Sequence, residues 1–181
     1  MKPLKEFLTE SIFNILDNAD KSIVEDIEDF IKNNYKVTGG KLEIEVVDDK
    51  YIVNCRGTVD VINYGIESFT NEFFKWGVVL GSFNCQNCRH LKSLEGSPEE
   101  VGKNFLCDYC TEIKDFTGAP NYVKGNFYCT FCKALKSFEG DLKRVDGKFY
   151  CHNSKAATGF DRKGIIKKIK SNIKIKGEVF L

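Results

Sequence analysis

The chain has 181 residues, of which 42% are hydrophobic and 29% are charged. This composition is typical of one globular domain with a sizeable core and excludes a disordered chain. No apolar run approaches the roughly 18–20 residues that span a bilayer, so we expect no membrane association. The net charge of +1 conceals an asymmetry, because residues 1–50 carry 7 Lys and 12 acidic residues whereas residues 155–181 carry 8 Lys or Arg and 2 acidic residues.

The N-terminal part of the chain predicts two helices. The first has apolar side chains at helical spacing and ends at Asp17 to Asp20. These side chains are Leu4, Phe7, Leu8, Ile12, Phe13, Ile15 and Leu16. Ser22-Ile23-Val24-Glu25 predicts a capping box that opens the second helix, and Gly39-Gly40 predicts its end. The start of the chain lacks the apolar core of a secretory signal, so we expect a reducing cytoplasm in which cysteines serve as thiols, metal ligands or packing groups.

A β-hairpin is predicted next. Leu42, Ile44 and Val46 alternate with polar residues, and Asp48-Asp49-Lys50 predicts the turn into Tyr51-Ile52-Val53. Cys55, at the end of this hairpin, is interpreted as a core residue. Residues 1–56 therefore form a predicted helical and β-hairpin cap at the N-terminal end.

Residues 57–154 contain a repeat with a period of 22 residues. Phenylalanine and two cysteine positions recur at this step: Phe83, Phe105, Phe127 and Phe149; Cys85, Cys107, Cys129 and Cys151; Cys88, Cys110 and Cys132, with Ser154 in the fourth place. Further apolar and turn positions follow it: Leu91, Ile113 and Leu135; Leu94, Phe116, Phe138 and Phe160; Gly96, Gly118 and Gly140; Val79, Val101, Val123 and Val145. Such self-similarity indicates a repeat architecture.

The spacing within one unit predicts its shape. Phe83-x-Cys85 places both side chains on one face of a strand, glycine and proline then reverse the chain, and Val101 leads into the next strand. One unit cannot bury its apolar ridge alone, but units stacked about 4.8 Å apart bury phenylalanine against phenylalanine and cysteine against cysteine. The pattern therefore predicts a solenoid. An earlier, irregular unit includes Val59-Asp60-Val61.

The repeat also resembles a known family. Leu80-x-x-Phe83-x-Cys85-x-x-Cys88-x-x-Leu91 resembles the leucine-rich repeat pattern with one added residue, and the full unit is similar to short repeats in tailed-phage and bacterial proteins. The resemblance covers roughly residues 57–154 and implies a curved binding scaffold. For a protein of this kind, the cytoplasm expected above is that of a host cell. Residues 155–181 form the predicted C-terminal cap, with a basic helix from Asp161 to Asn172 and a strand from Ile173 to Leu181. The predicted fold class is thus α+β, a short leucine-rich-repeat-like β-solenoid between two caps.

The first ten residues carry a second resemblance. Met1-Lys2-Pro3-Leu4-Lys5-Glu6-Phe7-Leu8-Thr9-Glu10 is similar to the capsid-targeting peptide of internal proteins in some tailed phages. The resemblance implies packaging in the virion interior and cleavage after Glu10. The alternative, an ordinary amphipathic first helix, remains open.

The paired cysteines allow two interpretations. Cys85, Cys88, Cys107 and Cys110 have the C-x2-C…C-x2-C spacing of a zinc site. However, a third pair continues the same period, and the fourth unit replaces the second thiol by Ser154, whose hydroxyl is a poor zinc ligand. We therefore prefer packing, in which a buried thiol acts as a small hydrophobe, with no cofactor. A structural zinc site is the alternative.

Residues between the core positions of each strand predict a binding face for a protein partner. They are Asn84, Leu106, Tyr109, Tyr128, Phe131, Tyr150 and His152. Aromatic side chains with a polar tip are typical binding anchors. The alternative is that these rings only pack on one another.

Other functions find little support in the sequence. The basic C-terminal residues could contact phosphates, but no nucleic-acid motif accompanies them, so we do not expect nucleic acid as the partner. The acidic face of the second helix could instead bind this basic segment in another copy, and the oligomeric state stays open. The two histidines have no catalytic spacing, and no G-x-S-x-G, H-E-x-x-H or phosphate-binding loop is present, so we expect no enzymatic activity.

Overall fold

The computed structural model describes residues 18–157 and 161–181. The predicted first helix and the phage-like peptide at residues 1–10 lie outside the described residues. Helix α1 spans Asn18–Asn34 and buries Val24, Ile27 and Ile31. Because α1 already contains Ser22, the prediction of a capping box there is wrong.

The end of α1 also differs from the prediction. The helix ends at Asn34, before a strand β1 at Tyr35–Thr38, and not at Gly39-Gly40. The carbonyl oxygen of Asn34 accepts hydrogen bonds from the backbone N–H groups of Ile62 and Asn63, and β1 then pairs with a strand at Thr58–Val61. Pairing with a distant strand therefore ends the helix.

The predicted hairpin is confirmed. Its strands are β2 (Leu42–Val47) and β3 (Lys50–Cys55), and they pair antiparallel. Asp48 and Asp49 form the two-residue turn with φ of 49° and 58°. This positive φ at both positions is the geometry that matches the twist of a tight hairpin.

From β3 onward the chain forms a solenoid in which each coil has two strands. The strands that follow are β4 (Thr58–Val61), β5 (Lys75–Val79), β6 (Phe83–Asn84), β7 (Glu100–Val101), β8 (Phe105–Leu106), β9 (Tyr122–Val123), β10 (Phe127–Tyr128), β11 (Arg144–Val145) and β12 (Phe149–Tyr150). A 3-10 turn at Lys155–Ala157, helix α2 at Arg162–Asn172, β13 (Lys174–Ile175) and β14 (Val179–Phe180) complete the described chain.

The strands form two sheets. The front sheet has the order β1-β4-β6-β8-β10-β12-β14, and the back sheet has the order β13-β11-β9-β7-β5-β3-β2. All neighbours pair in parallel except β1 with β4 and β2 with β3. The register advances by one repeat, so Phe105 lies opposite Phe83 and Phe127 opposite Phe105. The predicted solenoid with caps is confirmed.

The core consists of ladders along the solenoid axis. The rings of Phe83, Phe105, Phe127 and Phe149 stack with centroid distances of 5.8, 5.2 and 5.4 Å. The cysteine, valine and leucine positions of the repeat are buried beside them, and Cys55 is buried as predicted. Leu80, the first position of the leucine-rich pattern, is 53% exposed, because Val79 is the residue that faces inward.

The C-terminal segment continues the coil. Asp161 caps α2 by accepting a hydrogen bond from the backbone N–H of Gly164, and Ile165 and Ile169 are buried as predicted. The single strand predicted over Ile173–Leu181 is wrong, since β13 joins the back sheet and β14 the front sheet. Gly177 lies at the corner between them, where an added Cβ would lie 2.4 Å from the carbonyl oxygen of Gly147. Among the helices of the described segments, none has the length and apolarity needed to cross a membrane.

Candidate binding face on the front sheet

The outward side chains of the front sheet form columns, with one residue from each coil. The parallel register aligns Asp60, Asn84, Leu106, Tyr128, Tyr150 and Phe180, and we call this set the strand column. Each of these side chains is half-buried. The column is polar at its N-terminal end and aromatic at its C-terminal end.

The aromatic end of the strand column is one continuous stack. The Tyr128 and Tyr150 rings lie 4.6 Å apart with 1° between their planes, and Tyr150 lies 4.7 Å from Phe180 at 13°. Because each ring covers the face of the next, the stack presents ring edges and tyrosine hydroxyls outward. Asn126 donates a 3.0 Å hydrogen bond from Nδ2 to the Tyr128 hydroxyl and positions it.

A second column, which we call the turn column, follows the strand. It consists of Asn87, Tyr109, Phe131 and Asn153, with φ of 64°, 62°, 57° and 57°. This left-handed conformation is uncommon for aromatic residues and costs roughly 1–2 kcal/mol at each position. Hydrogen bonds to the next coil hold it, since the backbone N–H of Tyr109 donates to Thr130 O and that of Phe131 to His152 O. The Tyr109 and Phe131 rings stack at 4.7 Å and 4°, and Tyr109 is 42% exposed.

The polar column between these two is occupied by internal hydrogen bonds. The buried carboxylate of Asp108 accepts from Gln86 Nε2 at 2.6 Å, from the Thr130 backbone N–H at 2.7 Å and from Thr130 Oγ1 at 2.6 Å. His152, the last member of this column, lies edge-on to the Phe131 ring at 6.4 Å. The hydrogen bonds of Asp108 therefore join three neighbouring coils, through Gln86 on one side and Thr130 on the other.

A further polar column precedes the strand column. Ser82 Oγ accepts the backbone N–H of Asn104, and Asn104 Oδ1 accepts that of Asn126. Asn126 Oδ1 in turn accepts the N–H of Lys148 at 2.7 Å. Side chains here replace strand hydrogen bonds between coils, so they serve the fold.

The structure brings the seven predicted site residues to one face of the solenoid. Leu106, Tyr128 and Tyr150 share the strand column, and Tyr109 and Phe131 share the turn column. Asn84 differs from these apolar and aromatic residues because its side chain is polar and hydrogen-bonded. Its Nδ2 donates to Asp60 Oδ1, and its Oδ1 accepts from Gln86 N. Asn84 is thus satisfied within the chain.

Phe180 was missed in the sequence. It lies 30 residues after Tyr150 because α2 is inserted between the last two coils, and the insertion interrupts the period of 22 residues. A local signal was present, since Lys176-Gly177-Glu178-Val179-Phe180 matches Asp146-Gly147-Lys148-Phe149-Tyr150 in its glycine, apolar and aromatic positions.

All eight cysteines are free thiols, and several of them donate hydrogen bonds to backbone carbonyl oxygens. Cys85, Cys107 and Cys129 donate to the carbonyl oxygens of Leu106, Tyr128 and Tyr150 at 3.2, 3.0 and 3.3 Å. Cys110 and Cys132 donate at 3.1 Å to the carbonyl oxygens of Cys85 and Cys107. Burial raises the pKa of the Cys85, Cys107 and Cys129 thiols well above the ordinary value. It raises the pKa of the Cys88 thiol to about 12.

The alternative zinc ligands Cys85, Cys88, Cys107 and Cys110 are all buried in the ladder. Within residues 18–157 and 161–181, no group of three or more His, Cys, Asp or Glu side chains is arranged to hold a metal ion. Ser154 takes the fourth-coil position by donating from Oγ to Cys151 O at 2.9 Å.

Comparisons with protein-family models, curated proteins and solved structures found no significant match for this chain.

Proposed function

We propose that this chain is a non-enzymatic scaffold that binds a protein partner through its aromatic face. The aromatic face comprises Leu106, Tyr128, Tyr150 and Phe180 of the strand column with Tyr109 and Phe131 of the turn column. The observation that carries the proposal is the pair of ring stacks at the surface, with centroid distances of 4.6 to 4.7 Å. Stacked rings are rigid, so binding them costs little side-chain entropy.

The neighbouring columns strengthen this argument. Asp108 and Asn126 accept hydrogen bonds from the backbone of neighbouring coils, so both side chains serve the fold. The aromatic residues, in contrast, stay half-buried or exposed although their positions cost backbone strain at Tyr109 and Phe131. Non-glycine residues in the left-handed region cluster at functional sites.

The partner class follows from the resemblance stated for the repeat. Similarity to short repeats of tailed-phage and bacterial proteins supports a host protein or a virion protein as the partner. Ring edges and tyrosine hydroxyls suit a protein surface that combines apolar side chains with backbone carbonyl acceptors.

The test compares partner capture by matched variants. Tyr109→Asn and Phe131→Asn introduce the residue that Asn87 and Asn153 already place at the same backbone position, so the turn geometry is retained. The double variant Tyr128→Ser, Tyr150→Ser removes the stack of the strand column. Tyr64→Ser is the control, because Tyr64 is 57% exposed and lies outside the aromatic face.

Tagged wild-type chain is used to capture proteins from bacterial lysate, and the captured protein is then purified and titrated against each variant. We expect the aromatic-face variants to weaken binding at least about tenfold, which is the loss of one hot-spot contact, whereas Tyr64→Ser binds normally. Equal binding by all variants contradicts the proposal. Thermal unfolding identifies variants that fail to fold.

A further inference from the structure

The back sheet ends in two strands of opposite charge. At one end, β2 alternates the apolar residues Leu42, Ile44 and Val46 with Glu43 and Glu45. At the other end, β13 and its neighbours read Ile173-Lys174-Ile175-Lys176. In residues 18–157 and 161–181, each of these strands has a partner on one side alone.

The backbone groups on the open sides belong to the apolar residues. Arg56 N donates to Lys41 O, so by the alternation of antiparallel hydrogen bonds Glu43 and Glu45 face β3 while Leu42, Ile44 and Val46 face the open edge. In β13, Lys174 N and Lys176 N donate to Lys143 O and Val145 O. The backbone N–H and C=O groups of Ile175 therefore face the open edge of β13.

We propose that these two edges pair with each other between copies of this chain, β2 of one copy against β13 of the next. In an antiparallel pair, residues directly opposite each other must both point their backbone groups towards the partner strand and have their side chains on the same face of the sheet. Ile44 and Ile175 meet both conditions, so they lie opposite each other. In this antiparallel register Glu45 lies opposite Lys174, and Glu43 lies opposite Lys176. Val46, which is 53% exposed in the single chain, lies opposite Ile173 of the other copy in this register.

The two edge strands of the front sheet, β1 and β14, fit the same head-to-tail pairing between copies. The carbonyl of Asn34 accepts from Ile62 N, so Tyr35 and Val37 of β1 face the open edge, and Val179 of β14 faces the opposite one. With Val37 opposite Val179, Thr38 lies opposite Glu178. Lys36 then lies opposite Phe180 and diagonal to Glu178. β1 and β2 both run antiparallel to the other strands of their sheets. When copies stack end to end in one orientation, β1 of one copy therefore lies antiparallel to β14 of the next, and β2 lies antiparallel to β13.

Charge selects head-to-tail contact over pairing of like edges. A two-fold contact of β2 with β2 places Glu43 opposite Glu45, and a contact of β13 with β13 places lysine opposite lysine, which is destabilising. The acidic N-terminal and basic C-terminal segments of the chain orient the approach in the same way. The interface is therefore heterologous, and each copy keeps one free edge for a further copy.

The pair of Glu45 with Lys174 is the best point at which to test the contact. Within the chain, Lys176 already donates to Asp146 Oδ2 at 2.9 Å, and Glu43 accepts from Arg56 Nε at 2.6 Å. Glu45 and Lys174 are both exposed, and among the described residues Glu45 accepts a 3.2 Å hydrogen bond from Asn54 Nδ2 alone. Changing their charges therefore perturbs the fold little.

The experiment is sedimentation equilibrium of the full chain from micromolar to millimolar concentration at low and high salt. We expect concentration-dependent association that weakens with salt, and Glu45→Lys or Lys174→Glu alone weakens it about tenfold. The double variant and an equimolar mixture of the two single variants both associate again. Lys170→Glu, an exposed charge reversal on α2 at a position outside the paired strands, leaves the association close to that of wild type.

Three results overturn the inference. One is a monomer at all concentrations. Another is stronger self-association of Glu45→Lys, because that variant turns the Glu43–Glu45 contact of a two-fold β2 pair into an attractive one. The last is an equal effect of Lys170→Glu and Lys174→Glu, which indicates general charge attraction. Tyr128→Ser has no effect on association, so the outcome is separate from that of the proposed binding function.

Discussion

The thiol of Cys107 donates a 3.0 Å hydrogen bond to the carbonyl oxygen of Tyr128, the residue whose ring begins the outward stack on the next coil. Cys129 makes the same contact with Tyr150 at 3.3 Å. The cysteine ladder thus bonds to the backbone of the residues that form the aromatic face. These hydrogen bonds join the buried thiols to the strands that carry the outward rings. A loss of register in the core therefore also displaces the rings.

Metal removal should leave the protein folded. The thiols of Cys85, Cys107 and Cys129 already have carbonyl acceptors, and the fold is expected to need no ion for stability. We expect dialysis against a strong chelator to leave the far-ultraviolet circular dichroism and the melting temperature unchanged, with elemental analysis finding less than one zinc per chain. One stoichiometric zinc, or melting that depends on it, would establish the alternative structural zinc site.

Alkaline pH should destabilise the fold through its thiols. Burial raises the pKa of Cys88 from its ordinary value of 9.0 to about 12 and that of Cys55 to about 11. In this range the unfolded chain releases thiol protons that the folded chain retains, so the stabilisation is complete below pH 9 and is lost as the pH rises towards 12.

The measurement is urea unfolding at a series of pH values between 8 and 11, where other groups also begin to titrate. Cys88→Ala is the matched variant, because it removes one raised thiol and should show a shallower loss of stability with pH than the wild type. A steeper or identical dependence in that variant contradicts the assignment to this thiol.

Tight stacking of the coils predicts unequal effects of glycine replacement. Gly118 has φ of +77°, and an added Cβ would lie 2.2 Å from Glu95 Cα. Gly39 has φ of +70° but nothing within 4 Å, and at Gly65 the nearest atom is Asn63 Oδ1 at 3.4 Å. We expect alanine to cost more than about 3 kcal/mol at Gly118, about 1 kcal/mol at Gly39, and within about 0.5 kcal/mol of zero at Gly65.

Urea midpoints with unchanged m-values provide these free energies. Similar losses at Gly118 and Gly39 would show that backbone strain alone decides the cost and that the coils can move apart to accept a methyl group.

The period of 22 residues was sufficient to predict the solenoid, the phenylalanine stack and the burial of the thiols. Identical spacing in successive units places equivalent residues in one column whatever their exact backbone path, so Phe83, Phe105 and Phe127 had to meet. The outward position of Leu106, Tyr128 and Tyr150 followed from strand alternation in the same way.

The features that depend on pairing between distant or irregular segments could not be predicted from the sequence. The end of α1 at Asn34 is set by hydrogen bonds to Ile62 and Asn63, and no local signal encodes that partner. Phe180 joins the strand column because β14 pairs with β12 across the inserted helix. The repeating positions can be recognised from their spacing along the chain, because equivalent residues recur at a constant step. Which strands lie at the sheet edges, and which polar residues are hydrogen-bonded, depend instead on contacts between coils.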